Sequence, residues 1–294
     1  MAARSIDVAS AARDPLCVIC GGGSLPYTVA DAALGSGRPV VLLAITGFAD
    51  ATAVARYPHH WIALGQFGRL RRLAREAQCR DVVFVGTLVR PAIAQIRLDL
   101  PTLRLLPRII RTFRGGDDHL LSGVAQIFEE QGFRLVGAHD VAPQILAPEG
   151  AFGRCEPSEA HRADINQGLA FLQAIGPFDV GQAVVIAQAR VLAVEAADGT
   201  DLMLAHIAEL RCAGRIRVAV GNGVLVKAAK PRQDRRFDLP SIGPKTVEGV
   251  ARAGLAGVAV LAGDVIVAEP QAIVAAADRN NVFVVGVRNS GKAS

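Results

Sequence analysis

Two lysines, three arginines and two aspartates are concentrated in the stretch from Lys227 to Pro244, within a chain that is otherwise strongly apolar. Cations beside a carboxylate, on a backbone stiffened by prolines, suit a phosphate anhydride. Lys227 and Lys230 can hold anionic oxygens while Asp238 orients water or binds Mg²⁺. The alternative is a solvated surface loop. A second candidate is Gly21-Gly22-Gly23-Ser24-Leu25-Pro26. Its glycines permit positive φ and close backbone approach ahead of a helix, as a phosphate cradle requires, although the same residues also serve a plain strand-to-helix turn. A third is Gly115-Gly116-Asp117-Asp118. One aspartate suffices to cap a helix, which leaves the other to meet a nucleotide hydroxyl or a hydrated cation.

These residues need elements to position them. From Leu16 to about Gly137, short apolar runs alternate with amphipathic stretches, the pattern of a parallel sheet flanked by helices. Strands are predicted at 16–20, 39–45, 82–87 and 134–137, and helices from Leu25 to about Ala33 and over 66–78, 103–113 and 117–131. The glycine loop lacks the third glycine of a dinucleotide fingerprint. The second strand also ends Ala44-Ile45-Thr46-Gly47 without a ribose-binding acid, which weakens a nicotinamide oxidoreductase reading. In the third helix, Arg104, Arg108 and Arg111 adjoin Leu103, Leu106, Ile110 and Phe113. That edge suits either an anionic membrane surface or ordinary solvent.

The Pro- and Gly-rich stretch 142–157 breaks every periodicity and reads as a linker. Beyond it the pattern predicts helices at 158–174, 199–210, 244–253 and 270–278 and strands at 183–186, 191–196, 224–228 and 282–287. The first two of these strands form a hairpin, which makes the sheet mixed. The expected fold class is therefore α/β in two domains. An extension (1–15) precedes a Rossmann-like parallel-sheet domain (16–141), and the linker leads to a mixed-sheet catalytic domain (158–294).

Composition narrows the functional classes. At 51% hydrophobic over 294 residues the chain has ample material for a core, and no apolar run reaches the roughly 18 residues of a membrane span. Charged residues in the first fifteen positions do not suit a signal peptide, so a cytoplasmic protein is expected. Aromatics at 5% are too few for base-stacking surfaces, so no nucleic-acid partner is expected. Five scattered cysteines suggest free thiols, and Cys17-x-x-Cys20 falls in an apolar strand rather than at a redox or zinc site. The histidines show no zinc spacing. His139-Asp140 has no upstream Asp-x-His, so a calcineurin-like two-metal site is not readable.

Taken in order, several motifs resemble one family. They are Gly21-Gly22-Gly23-Ser24-Leu25-Pro26, Gly116-Asp117-Asp118, Gly137-Ala138-His139-Asp140, Asp179-Val180-Gly181-Gln182, Val194-Glu195-Ala196 with Gly199-Thr200-Asp201, Lys227 with Lys230, Asp238-Leu239-Pro240-Ser241-Ile242-Gly243, and Ala275-Ala276-Ala277-Asp278. From about Leu16 to Val287 the chain resembles the UDP-2,3-diacylglucosamine pyrophosphatases of lipid A biosynthesis, of the branch that is not calcineurin-like. The resemblance implies Mg²⁺-dependent hydrolysis of the substrate diphosphate to UMP and 2,3-diacylglucosamine 1-phosphate (lipid X). It also implies two α/β domains with lipid held between them, and a homodimer formed by exchange of domains.

By the same resemblance Asp238 is needed for catalysis, with Lys227 and Lys230 beside it. Whether Asp238 is base or metal ligand stays open, and Asp201 is the second metal candidate, with Glu195 a further acidic contributor. Asp234 is the weaker aspartate of the loop. The candidate substrate-binding residues are Gly22, Gly23, Ser24, Gly86, Thr87, Asp117 and Asp118 in the first half and Gln182, Thr200 and Gln233 in the second. An acylated substrate implies transient contact with the inner face of the inner membrane. The alternative function is a non-catalytic nucleotide- or lipid-binding regulator.

Overall fold

The computed structural model describes residues 14–88, 97–112, 117–231 and 233–288, and the side chains of 108–112 and 117–122 lie outside that description. The chain divides into two compact units, Met1–Ala142 and Pro143–Ser294.

In the first unit the elements run β1 (Leu16–Cys20), α1 (Leu25–Gly35), β2 (Val40–Ile45), α2 (Ala51–Val54), β3 (His59–Ile62), α3 (Phe67–Glu76), β4 (Asp81–Val85), α4 (Leu100–Thr112), α5 (Asp117–Glu130), β5 (Arg134–Leu135) and α6 (Ala138–Val141). The sheet is wholly parallel in the order β3-β2-β1-β4-β5. Strands covered on both faces need apolar side chains throughout. Accordingly every residue of β1, including Cys17 and Cys20, is buried. All five cysteines are free thiols. β3, His-His-Trp-Ile, carries no apolar run and was not expected from sequence; it is the edge strand, held by its ladder to β2. At the amino-terminal rim the buried Asp81 carboxylate receives Arg38 and Arg134, each at 2.7 Å, which joins the loop before β2 to the first residues of β4 and β5.

The second unit comprises β6 (Gly150–Ala151), α7 (Glu159–Ile175), β7 (Ala183–Ala187), β8 (Arg190–Val194), α8 (Gly199–Cys212), β9 (Val224–Lys227), β10 (Ser241–Ile242), α9 (Pro244–Arg252), β11 (Gly257–Leu261), β12 (Ile266–Val267), α10 (Pro270–Asn280) and β13 (Phe283–Val287). Its six-stranded sheet has the order β6-β13-β11-β9-β7-β8 and is mixed. β9, β11 and β13 are parallel, whereas β7 is antiparallel to β9 and to β8. Side chains alternate across it. Val185, Leu225, Val258 and Val260 pack with α8, α9 and α10, while Val184, Val226 and Ala259 pack with Ile165 and Leu172 of α7.

In the second unit the linker and the middle of the sheet depart from their sequence reading. The stretch expected as a linker is built into the second unit. β6 pairs with β13, and the Ala147 N–H donates to the Val265 carbonyl at 2.8 Å, so backbone pairing rather than side-chain periodicity holds it. β11, at the middle of the sheet, was not expected at all. Its Gly-Val-Ala-Val-Leu sequence is buried on both faces and shows no alternation to read.

Among the described residues no helix is long and apolar enough to cross a membrane. Arg104 is exposed on α4, whereas Arg108 and Arg111 fall among the side chains outside the description.

Candidate active site

In the second unit four chain segments converge where β9 ends. Along β9 the side chains alternate, so Lys227 shares the face of Leu225 and projects toward α8. Its Nζ donates to the Thr200 hydroxyl at 2.9 Å in the first turn of that helix. Antiparallel pairing sets Lys227 opposite Ala183 at the start of β7, and the Ala228 N–H donates to the Gln182 carbonyl at 3.0 Å. Gln182 thus lies directly beside the strand end, and its Nε2 donates to Asp238 Oδ2 at 3.3 Å. The Gln233 amide donates to the same oxygen. Glu195, just past β8, accepts the Gln182 N–H at 2.9 Å and the Thr200 hydroxyl proton. Gly181 is required by this crossing, because a Cβ there would strike the Glu195 carbonyl.

The electrostatics follow from burial. Lys227 is only 8% exposed, and Glu195 only 9%. Loss of water lowers the Lys227 pKa below the usual lysine value, and the carboxylates of Glu195, Asp201 and Asp238 oppose that shift in part. An ammonium this poorly hydrated, on the rim of a sheet, is a strong partner for an incoming anion.

The structure sorts the residues expected from sequence into groups. Lys227, Gln182, Thr200, Gln233 and Asp238 belong to one hydrogen-bonded set, with Asp201 exposed in the first turn of α8. Lys230 borders this set. Its N–H donates to Gln233 Oε1 at 3.1 Å, and its ammonium pairs with Asp179, a partner that charge spacing along the sequence did not identify. Asp234 turns elsewhere. Its carboxylate is gripped by the Arg236 guanidinium at 2.8–3.2 Å, which holds its pKa below the usual carboxylate range. The Asp-x-Arg spacing was the available sign of that pairing.

In the first unit, Gly22, Gly86 and Thr87 meet where β1 and β4 end, at the point where the strand order reverses. Gly22 and Thr87 exchange backbone hydrogen bonds at 2.9 and 3.0 Å. Gly86 has φ +102, and a Cβ there would lie 2.6 Å from the Gly22 carbonyl oxygen. Close packing of two loops therefore accounts for these glycines, and the Gly22 N–H already has an acceptor. Gly23, with φ +88, has open space about it, and Ser24 is the residue preceding α1, without a side-chain cap bond. Asp117 and Asp118 open α5, and their expected ligand contact lies outside the described side chains.

Among the described residues no three His, Cys, Asp or Glu side chains group as a self-contained metal cage would need. Asp238 and Asp201 both lie within electrostatic reach of Lys227, and a Mg²⁺ site asks less of the protein than such a cage. There one or two carboxylates suffice, and phosphate oxygens and water complete the coordination.

Comparison with known proteins gives a consistent result. Residues 15–145 match the LpxI N-terminal domain family and residues 148–285 the LpxI C-terminal domain family. The UDP-2,3-diacylglucosamine pyrophosphatase LpxI of Caulobacter vibrioides is 41% identical over 270 residues, spanning 92% of this chain and 96% of the relative. Likeness to solved structures is slight. The UDP-glucose 4-epimerase of Thermus thermophilus, in complex with NAD, overlaps 95% of this chain and 88% of its own at 14% identity with a TM-score of 0.30.

Proposed function

The chain belongs to the LpxI family, and on that premise we propose that it hydrolyses the diphosphate of UDP-2,3-diacylglucosamine, giving UMP and 2,3-diacylglucosamine 1-phosphate. The observation that carries this reading in the molecule itself is the buried Lys227 ammonium at the end of β9, within electrostatic reach of Asp238.

A diphosphate enters with its charge already spread over non-bridging oxygens, and cleavage adds charge on the leaving oxygen. Lys227 meets that charge from a site poor in water, where its field is little screened. Lys230 supplies a second cation, held in place by Asp179. Asp238, with Oδ2 pinned by the Gln182 and Gln233 amides, orients the attacking water and accepts its proton. In the alternative role Asp238, together with Asp201, would hold Mg²⁺, which when bound would neutralise phosphate oxygens and polarise the anhydride.

The test is release of UMP from UDP-2,3-diacylglucosamine with and without Mg²⁺, by the parental enzyme and by Asp238→Ala. Expected results are turnover that depends on the metal, and its loss in the variant with substrate binding retained. Binding without UMP release by the parental chain would instead support the regulator reading.

A further inference from the structure

Among the described contacts Glu195 has no direct hydrogen bond to Lys227 or Asp238, yet it is connected to both. One carboxylate oxygen accepts the Thr200 hydroxyl proton. With that proton committed, the hydroxyl presents a lone pair, and Lys227 Nζ donates to it at 2.9 Å. The other oxygen accepts the Gln182 backbone N–H at 2.9 Å, and the Gln182 side chain donates to Asp238 Oδ2 at 3.3 Å. We propose that Glu195 and Thr200 are positioning residues that fix, through one continuous hydrogen-bonded chain, both the cation that receives the phosphate charge and the carboxylate that orients water.

The chemistry of Glu195 is suited to this use. Both of its partners are donors, so the position requires two acceptor oxygens. A carboxylate supplies two, whereas a glutamine amide supplies one oxygen and one NH₂ group. In one orientation of a glutamine the Gln182 N–H faces an NH₂ group, and in the other the Thr200 oxygen must accept from that NH₂ while its own proton loses the acceptor. The position is also nearly dry, with Glu195 only 9% exposed, so no ready exchange with bulk water replaces a lost bond. Thr200 has the complementary requirement of a hydroxyl that donates one way and accepts the other. Valine at this site keeps the shape and loses both bonds, and serine keeps both bonds and loses a methyl.

This proposal rests on the hydrolase reading and is tested by steady-state UMP release from UDP-2,3-diacylglucosamine with Mg²⁺ for the parental enzyme, E195Q, T200V, T200S and E195Q/T200V. Thermal melts accompany each to identify the folded variants. Misplacement of reacting groups by an ångström costs on the order of 10²-fold. E195Q and T200V are therefore expected to lower kcat by about that factor, with KM changed far less, and T200S to retain turnover within about fivefold of the parent. Because the two residues act in series, the double variant is expected to be no slower than the worse single variant.

The proposal is overturned by near-parental kcat in folded E195Q or T200V, by T200S as slow as T200V, or by multiplicative losses in the double variant. If E195Q and T200V do not fold, a rise confined to KM at parental kcat in T200S, which keeps the hydroxyl, overturns it, and turnover within about fivefold at unchanged KM supports it. A parental enzyme that releases no UMP fails the functional reading itself, and the relay falls with it; a parental enzyme that turns over with insensitive variants fails the relay alone.

Discussion

Replacing Lys227 with methionine separates what the charge does for catalysis from what it does for the fold. A unit charge about 4 Å from a phosphate oxygen interacts with it by roughly 4 kcal/mol at an effective dielectric near 20. Only the charge gained in the transition state lowers the barrier, so about 2–4 kcal/mol is at stake, or roughly 30- to 900-fold in kcat. Part of the attraction is already present in bound substrate, so KM should rise as well. Stability should move the other way. Burial lowers the Lys227 pKa, which means that the folded state disfavours the charged form relative to the unfolded chain. Methionine removes that penalty while keeping the stem's contacts, and forfeits one hydrogen bond to Thr200 worth about 1 kcal/mol. K227M is thus expected to melt at or above the parental temperature while UMP release falls steeply. Activity within about threefold of the parent, or a folded state several kcal/mol weaker, would refute this account of Lys227.

In the first unit, Gly86→Ala should destabilise strongly, because φ +102 suits only glycine and the added Cβ would lie 2.6 Å from the Gly22 carbonyl oxygen; urea unfolding checks this, and a midpoint equal to the parent's would contradict the geometry. Asp81 predicts an acid-sensitive rim. Burial by itself would raise its pKa, but hydrogen bonds from Arg134 and Arg38 outweigh burial and hold it below the usual value. Its stabilising contribution is therefore full above about pH 4 and is lost as pH falls through the depressed folded value. Asp81→Asn should cost about 3 kcal/mol at neutral pH, an amount limited by the exposure of Arg134, and should flatten the decline in stability toward acid. Chemical denaturation at pH 7 and at about pH 3 measures both, and an equal acid decline in the two proteins would count against the network.

Much of the site was readable because its parts lie close together along the chain. Lys227 ends β9 and Lys230, Gln233 and Asp238 occupy the connector that follows, and charge concentrated in an apolar chain is visible without a structure. Asp234 shows the limit of that reading. It has the same residue type and the same connector as Asp238, but Arg236 two positions on takes its carboxylate. The hairpin between β7 and β8 shows a second limit. Its Gln188-Ala189 turn lacks the glycine or asparagine that positive φ favours, and both residues nevertheless adopt φ values of 52 and 58. The buried Asp164 carboxylate, from α7, accepts both of their N–H groups at 3.1 and 2.8 Å. Nothing local to the turn announces that support.

The sequence by itself determined the alternation of strands and helices, the parallel first sheet and the mixed second one, and the family to which the ordered motifs belong. Those properties follow from hydrophobic periodicity and from residues in fixed local order. Only the tertiary structure decided that Glu195 and Thr200 join Lys227 to Asp238, that Asp179 takes Lys230, and that Gly22 and Gly86 of the first unit serve close backbone packing. Each of these depends on which strand ends meet, and register between distant segments is set by the packing of the whole sheet rather than by any one segment.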